Sequence, residues 1–190
     1  MHGCPETIAY FRRMFPSWHI SPTGASGHFR GLAVLWDPVW ISAKTFPCFD
    51  GILILVKFRG MAAPVHILNV YAPYKDHISY WNRFLSSEIE SLLIVGDLNC
   101  SLSSYKVWGR GRKIDPVGGL IREALLQYNF VDINPTILAP TWDNGRTRNA
   151  YIAKRLDHFI IHDRLVERLG FPSSSILPCF ISDHRPISLQ

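Results

Sequence analysis

Apolar positions along the 190-residue chain fall into short runs and spaced faces, never into one long block. GILILVKF (51–58) is rich in Ile, Leu and Val and is bounded by glycine and charge, which predicts a buried strand. VHILNVY (65–71) predicts a second, and Arg59-Gly60 lies between them, so the two form a hairpin. GLAVLW (31–36), LLIVG (92–96), RLDHFIIH (155–162) and RPISL (185–189) read as further strands. Helical spacing appears in ETIAYFRRMF, which starts behind Pro5 and stops before Pro16. It recurs in 77–91 and in Pro116 to Asn129, where Asp115 is placed to cap and Pro116 to take the first helical position. DRLVERLG (163–170) predicts a short helix with Gly170 as its stop. There is no repeat, low-complexity tract or linker. Interleaved strands and helices with hairpins predict one mixed α/β domain over 1–190, its sheet packed inside helices. The segments 99–115 and 135–154 read as long loops, which in a compact domain are usually functional.

Composition adds limits. The 47% hydrophobic content excludes a disordered chain, and at this length roughly 70% of the unfolded surface is buried. Twenty Lys+Arg against fifteen Asp+Glu leave a net charge of +5, which favours a polyanionic partner without proving one. Cys4, Cys48, Cys100 and Cys179 are far apart and form no CxxC pair, which argues against zinc. They read as reduced buried thiols; disulfides are the alternative, but nothing at the N-terminus supports secretion. No apolar run reaches the ~18 residues of a membrane helix. The expectation is a protein of the nucleus or cytoplasm with no membrane partner.

Chemistry gathers at strand ends. Tyr71 ends NVYAP (69–73), Asp97 and Asn99 stand in GDLN (96–99), Asp157 in RLDHF (155–159), and Asp183 and His184 in SDHRPI (182–187). Polar groups at the strand ends of an α/β sheet are the usual place for a site. Each piece has a bland reading. Asp97 and Asn99 are common turn residues, Asp183 a turn residue or cap, His184 a satisfied interior histidine and Tyr71 a rim aromatic. Asp157 is harder to dismiss, because a carboxylate inside an apolar strand needs a partner, and His184 is the obvious one. On an extended segment Asp97 and Asn99, two apart, would point to one side. A histidine whose tautomer a carboxylate fixes suits proton transfer, and a hard divalent cation on carboxylates suits a phosphoryl group.

The order NVYAP, GDLN, RLDHF, SDHRPI resembles the motif series of the endonuclease/exonuclease/phosphatase superfamily. APTW (139–142) and GLAVLWD (31–37) narrow the resemblance to the endonuclease domain of plant LINE-type retrotransposons. The resemblance covers essentially the whole chain. It implies a four-layer α/β/β/α sandwich and Mg2+- or Mn2+-dependent phosphodiester hydrolysis of DNA by a monomer without a small-molecule cofactor. It implies His184 as general base or transition-state stabiliser, oriented by Asp157. Asp97 would align or deprotonate the water, Asn99 fix that water and a phosphate oxygen, Tyr71 donate to the phosphate, and Asp183 contribute to the metal site.

Departures temper this. The family has two earlier strands, and the second ends in Gln-Glu, whose Glu is the principal metal ligand. Nothing before GLAVLWD reads that way, so the chain is expected to be truncated at its N-terminus and to lack the first one or two strands. Glu6 is the sole carboxylate there and reads as a helix N-terminal charge. His158 replaces the usual Arg after the Asp, and Tyr74 stands where abasic-site enzymes often carry a phosphate-contacting Asn. The alternatives to an endonuclease are therefore a catalytically impaired remnant that at most binds nucleic acid, and a phosphatase of a small phosphoester. WGRGRK (108–113), with Arg110 and Arg112, and GRTRN (145–149), with Arg146, Arg148 and Asn149, are expected to flank the site and contact phosphates. Lys154-Arg155 is expected to join them, with Trp108 or Trp142 free to stack; solvated loops are the bland reading.

Overall fold

The structure, a computed structural model, describes residues 5–23, 31–48, 51–73, 79–81, 91–110, 115–179 and 181–190. Two compact units divide the chain, Met1–Tyr71 and Ala72–Gln190.

The first unit opens with the helix Pro5–Met14, which carries Glu6 in its first turn and Arg12 and Arg13 in its last, as the helix dipole favours. Strands β1 (His19–Pro22) and β2 (Ala33–Trp36) pair antiparallel. Strands β3 (Ile41–Cys48), β4 (Gly51–Phe58) and β5 (Val65–Tyr71) form an antiparallel ladder in that order. Ile52, Ile54 and Val56 on one face of β4 form the core of this unit, packed by Leu32, Val34, Ile41, Ala43, Phe58 and Ile67. Burying each such side chain contributes about 1.5–3 kcal/mol. The hairpin through Arg59-Gly60 is as the sequence predicts. Strand β3 is not predicted, because ISAKTFPC mixes polar residues and Pro47 with apolar ones. Its alternating exposure and its single pairing partner in the ladder fit that composition.

In the second unit, β6 (Leu92–Asp97) leads into a 3-10 turn (Ser104–Lys106) and β7 (Val107–Gly109). The helix Pro116–Gln127 follows, capped by the Asp115 carboxylate accepting from Val117 N, and then β8 (Phe130–Asp132). Next come β9 (Trp142–Asp143), β10 (Ile152–Lys154) and β11 (Asp157–His162), the helix Asp163–Leu169 closed by Gly170, and β12 (Ser174–Ile176) and β13 (Ile187–Leu189). Strand β11 pairs antiparallel with β6 on one side and β8 on the other. A small sheet runs β7-β10-β9, so parts of 99–115 and 135–154 are ordered structure rather than loop. Leu92, Ile94, Ile121, Leu125, Phe130, Ile160 and Leu165 are buried at the centre of this unit. At Gly118 an added Cβ would lie 1.9 Å from Ser101 O, so only glycine lets the helix approach the turn after β6. The helical reading of 77–91 falls mostly outside the described residues; 79–81 are helical.

Candidate active site

The register of the β6–β11 pair sets Asp97 directly opposite Asp157, because both stand where their strands meet the same end of the ladder. The chain then turns. Leu98 N donates to Leu156 O at 2.9 Å, and Asn99 takes a positive φ of 51°, a region that Asn tolerates better than most residues. Asn99 N donates to Asp97 Oδ1 at 2.8 Å, closing an Asx turn. The expected extended segment through Asn99 is therefore corrected: the turn, not strand alternation, sets the amide beside the carboxylate. Asn99 Nδ2 donates to Ala72 O, which leaves Asn99 Oδ1 buried without a partner. Ala72 N donates to Asp97 O at 2.8 Å. Tyr71, one residue earlier, closes β5 in the first unit.

His184 lies on an isolated bridge opposite Trp142. Its Nδ1 is 2.9 Å from Asp157 Oδ2, and its Nε2 is 3.8 Å from Asp97 Oδ2. The carboxylate accepts the Nδ1 proton, so Nε2 is the nitrogen turned toward Asp97. Asp143 N donates to Asp183 O at 3.2 Å and Arg185 N to Thr141 O at 2.7 Å, so the segment before β13 is stitched to the start of β9. The exposed Asp183 carboxylate accepts from the Trp142 indole N–H at 3.1 Å.

Thr141 is a residue the sequence reading passed over inside APTW. It is fully buried, and its Oγ1 accepts from Leu156 N at 2.9 Å and Asp157 N at 3.0 Å. One hydroxyl thus fixes the backbone that carries Asp157, while the carbonyl of the same residue fixes the backbone beside His184.

Electrostatics separate the two groups that face each other. Burial pushes the Asp97 carboxyl up to about 6, with the charges of Asp157 and Asp183 adding to it and the Asn99 N–H and His184 opposing. The hydrogen bond that Asp157 accepts raises the His184 pKa above its ordinary value, against partial burial. Near neutral pH the site therefore holds a carboxylate that readily accepts a proton beside an imidazole that tends to keep its own.

The small sheet β7-β10-β9 brings two basic segments side by side. Gly109 pairs with Ile152, and an added Cβ there would lie 2.1 Å from Tyr151 O. Arg110 follows Gly109 and is exposed, as are Arg146, Arg148 and Asn149 in the 143–152 connection. That connection is laced by Asn144, whose Oδ1 accepts from Ile152 N at 3.1 Å and whose Nδ2 donates to Ala150 O at 2.8 Å. Arg112 and Tyr74 fall outside the described residues. The reading of Arg155 as a phosphate contact is corrected: its side chain is 2% exposed and spent on Asp132, Asn134 and Ile133 O. Trp142 is half-buried, and its N–H donates to Asp183.

The endonuclease domain of TRAS1, a telomere-specific non-LTR retrotransposon, has a similar structure: TM-score 0.70 at 14% identity, over 91% of this chain and 77% of that one. D. rerio TDP2 complexed with a single-strand DNA product matches at TM-score 0.57 and 12% identity, over 98% and 81%. ANGEL2, a 2',3'-cyclic phosphatase, matches at TM-score 0.52 and 12% identity, over 97% and 70%. No protein-family model matches the chain. The chain shares the fold of these three structures, which is the fold that its motif order leads one to expect. Within this fold, Asp97, Asn99, Asp157, Asp183 and His184 gather at one end of the β6–β11 pair. Among the described residues no helix is long and apolar enough to cross a membrane.

Proposed function

We propose that this protein hydrolyses phosphodiesters with a divalent cation, as a DNA endonuclease of retroelement descent. One observation carries the reading: His184, held by Asp157 at 2.9 Å, turns Nε2 toward the Asp97 carboxylate 3.8 Å away. Likeness to an endonuclease domain and to a protein complexed with DNA supports it, as do the paired basic segments. The reading takes the protein to act as a monomer in the nucleus or cytoplasm.

The residues fit a hard cation in their donor chemistry. Asn99 Oδ1 is a buried oxygen with no partner beside the Asp97 carboxylate, and burial has raised that carboxyl in a way a cation would reverse. No group of three His, Cys, Asp or Glu poised for a metal occurs among the described residues. Mg2+ is often held by only one or two carboxylates together with substrate phosphate and water, so Asp97 and Asn99, with Asp183 nearby, would hold it. Mg2+ or Mn2+ would supply charge neutralisation on the phosphoryl oxygens.

The chain's own residues divide the remaining work. Asp97 takes a proton from the attacking water as its oxygen bonds to phosphorus and the bond from phosphorus to the leaving ester oxygen breaks. His184, kept protonated by Asp157, faces the developing charge with Nε2–H and then gives that proton to the leaving alkoxide. The raised His184 pKa favours this role over that of general base. Asn99 fixes a phosphate oxygen, and Arg110, Arg112, Arg146, Arg148 and Asn149 contact flanking phosphates, with Trp142 against a sugar or base.

A second reading, hydrolysis of a small phosphoester, draws on the likeness to ANGEL2. A third, a remnant that binds nucleic acid without cutting, draws on the small set of cation donors among the described residues. Nicking of supercoiled plasmid with Mg2+ or Mn2+ decides among them. The expected result is slow nicking, abolished by EDTA and by His184→Ala. Turnover of a nucleoside cyclic phosphate without nicking would favour the phosphatase, and equal nicking by wild type and His184→Ala would overturn the assignment of His184.

A further inference from the structure

The second unit holds a buried ion cluster that the reaction above does not use. Its centre is Asp132 at the end of β8. Asp132 Oδ1 accepts from Arg155 at 2.9 Å and from His158 Nδ1 at 3.0 Å, and Oδ2 accepts from Arg155 at 3.0 Å and from Lys106. Arg155 reaches on to Asn134 Oδ1 at 2.9 Å and Ile133 O at 2.7 Å, and its backbone N donates to Lys106 O at 3.0 Å. The side chains of Lys106, Arg155 and His158 are almost wholly buried.

We propose that Asp132 is a positioning residue for the phosphodiester chemistry, tying the segment that leads to Arg110 and the strand that carries Asp157 to one anchor. The proposal rests on the hydrolase reading of the site. Lys106 immediately precedes β7, and β7 leads directly into Arg110. Arg155 and His158 bracket Leu156 and Asp157. His158 and Asp157 are adjacent in β11 and face opposite sides, so His158 holds the strand from behind while Asp157 meets His184 in front, and Arg155 holds the chain just before the strand begins. A slip of β11 against β8 would turn His158 away from Asp132 and Asp157 away from His184 together. Apolar side chains of equal volume often stabilise a core as well as a buried ion group does, so stability alone does not account for four polar groups here. What the charges add is direction: the Arg155 fork and the Asp132 carboxylate meet through two parallel bonds that fix geometry.

The test uses the whole chain and two readouts. The His184 Nδ1–H bonded to Asp157 gives a low-field proton resonance, identified by its loss in His184→Ala. In Asp132→Asn, at a temperature where melting shows the variant folded, that resonance shifts or broadens. The turnover number for plasmid nicking then falls about a hundredfold, as for a small misplacement of reacting groups. If Asp132→Asn does not fold, His158→Gln replaces it, since Lys106 and Arg155 stay on the carboxylate, and the same two readouts apply. An unchanged resonance and turnover number in a folded variant, with only a lower melting temperature, overturns the proposal. If wild type nicks nothing, the hydrolase reading fails separately, and the resonance alone still decides whether Asp132 positions the His184–Asp157 pair.

Discussion

At the scale of single residues, the site depends on groups that never face solvent. Thr141 shows this most directly, because one hydroxyl satisfies the N–H groups of both Leu156 and Asp157. Thr141→Val keeps the shape and leaves two buried donors unpaired. Each such donor costs about 1–3 kcal/mol, so a loss of roughly 2 kcal/mol or more in unfolding free energy is expected, with Thr141→Ser recovering most of it. Chemical denaturation of the three proteins measures this, and a Val variant as stable as the Ser variant would show that Oγ1 holds nothing. His184 and Asp97 make a prediction about rate. Under the proposed mechanism nicking requires ionised Asp97 and protonated His184, so a bell-shaped profile is expected. At low Mg2+ its acid limb is expected to approach pH 6, set by the raised Asp97, and its alkaline limb to lie above the ordinary histidine value. A rate that keeps rising well above the His184 transition would instead make His184 the general base. Saturating Mg2+ should move the acid limb downward, because a cation favours ionised Asp97.

At the scale of elements, the small β7-β10-β9 sheet decides where the candidate DNA contacts lie. Gly109 has φ 103° and no room for a Cβ against Tyr151 O. Gly109→Ala should therefore break the β7–β10 pairing and displace Arg110. Measured against salt, duplex affinity changes with a slope of about −0.9 per phosphate contact. Arg146→Ala and Arg148→Ala should each flatten the slope by about 1, and Gly109→Ala by a similar amount through Arg110. Slopes that do not move would exclude this face as the phosphate-contacting one. The sequence made the long apolar strands legible, β4 and β5 to the residue, and the Pro116–Gln127 helix through its Asp115 cap. The pairing of Asp157 with His184 was legible because a carboxylate in an apolar strand demands a partner. The two- and three-residue strands β7, β9 and β10 were not, since runs so short carry no periodicity and are held by long-range pairing. Arg155 was misread for a related reason. A lysine-arginine pair beside a basic loop looks solvated, and only the fold shows Asp132, more than twenty positions earlier in the chain, closing on it.

At the scale of the whole molecule, buried groups of opposite titration sign set the dependence of stability on pH. Asp97 has a folded pKa raised from 3.8 to about 6, so the native state binds the extra proton, and stability falls as pH rises from about 4 through 6. His184 is raised too; its contribution is full below its unfolded value near 6.5 and is lost as pH climbs through its folded value. His158 runs the other way. Burial pushes its pKa down against the pull of Asp132, so it favours the native state above about 6.5 and costs stability as pH falls below that. Asp132 is also depressed, because His158, Arg155 and Lys106 together outweigh its burial, and its contribution is lost as pH drops below the ordinary carboxylate range. Between pH 4 and 6.5 the terms of Asp97 and His158 oppose each other, so the wild-type curve alone is uninformative. The difference between Asp97→Asn and wild type isolates one of them. Asn at 97 still accepts from Asn99 N and carries no charge into the interior. In EDTA, Asp97→Asn should match wild type near pH 4 and gain on it as pH rises through 6, levelling above pH 7. A shift of about two units at 1.36 kcal/mol each bounds the gain at about 3 kcal/mol. Added Mg2+ should stabilise wild type progressively more as pH rises and stabilise Asp97→Asn less, because the variant keeps Asp183 but loses the ionised carboxylate at 97. Urea denaturation at pH 4.5, 6 and 7.5 with and without Mg2+ provides the test. A difference that stays constant across the three pH values would mean that Asp97 titrates in the folded protein as it does in the unfolded chain.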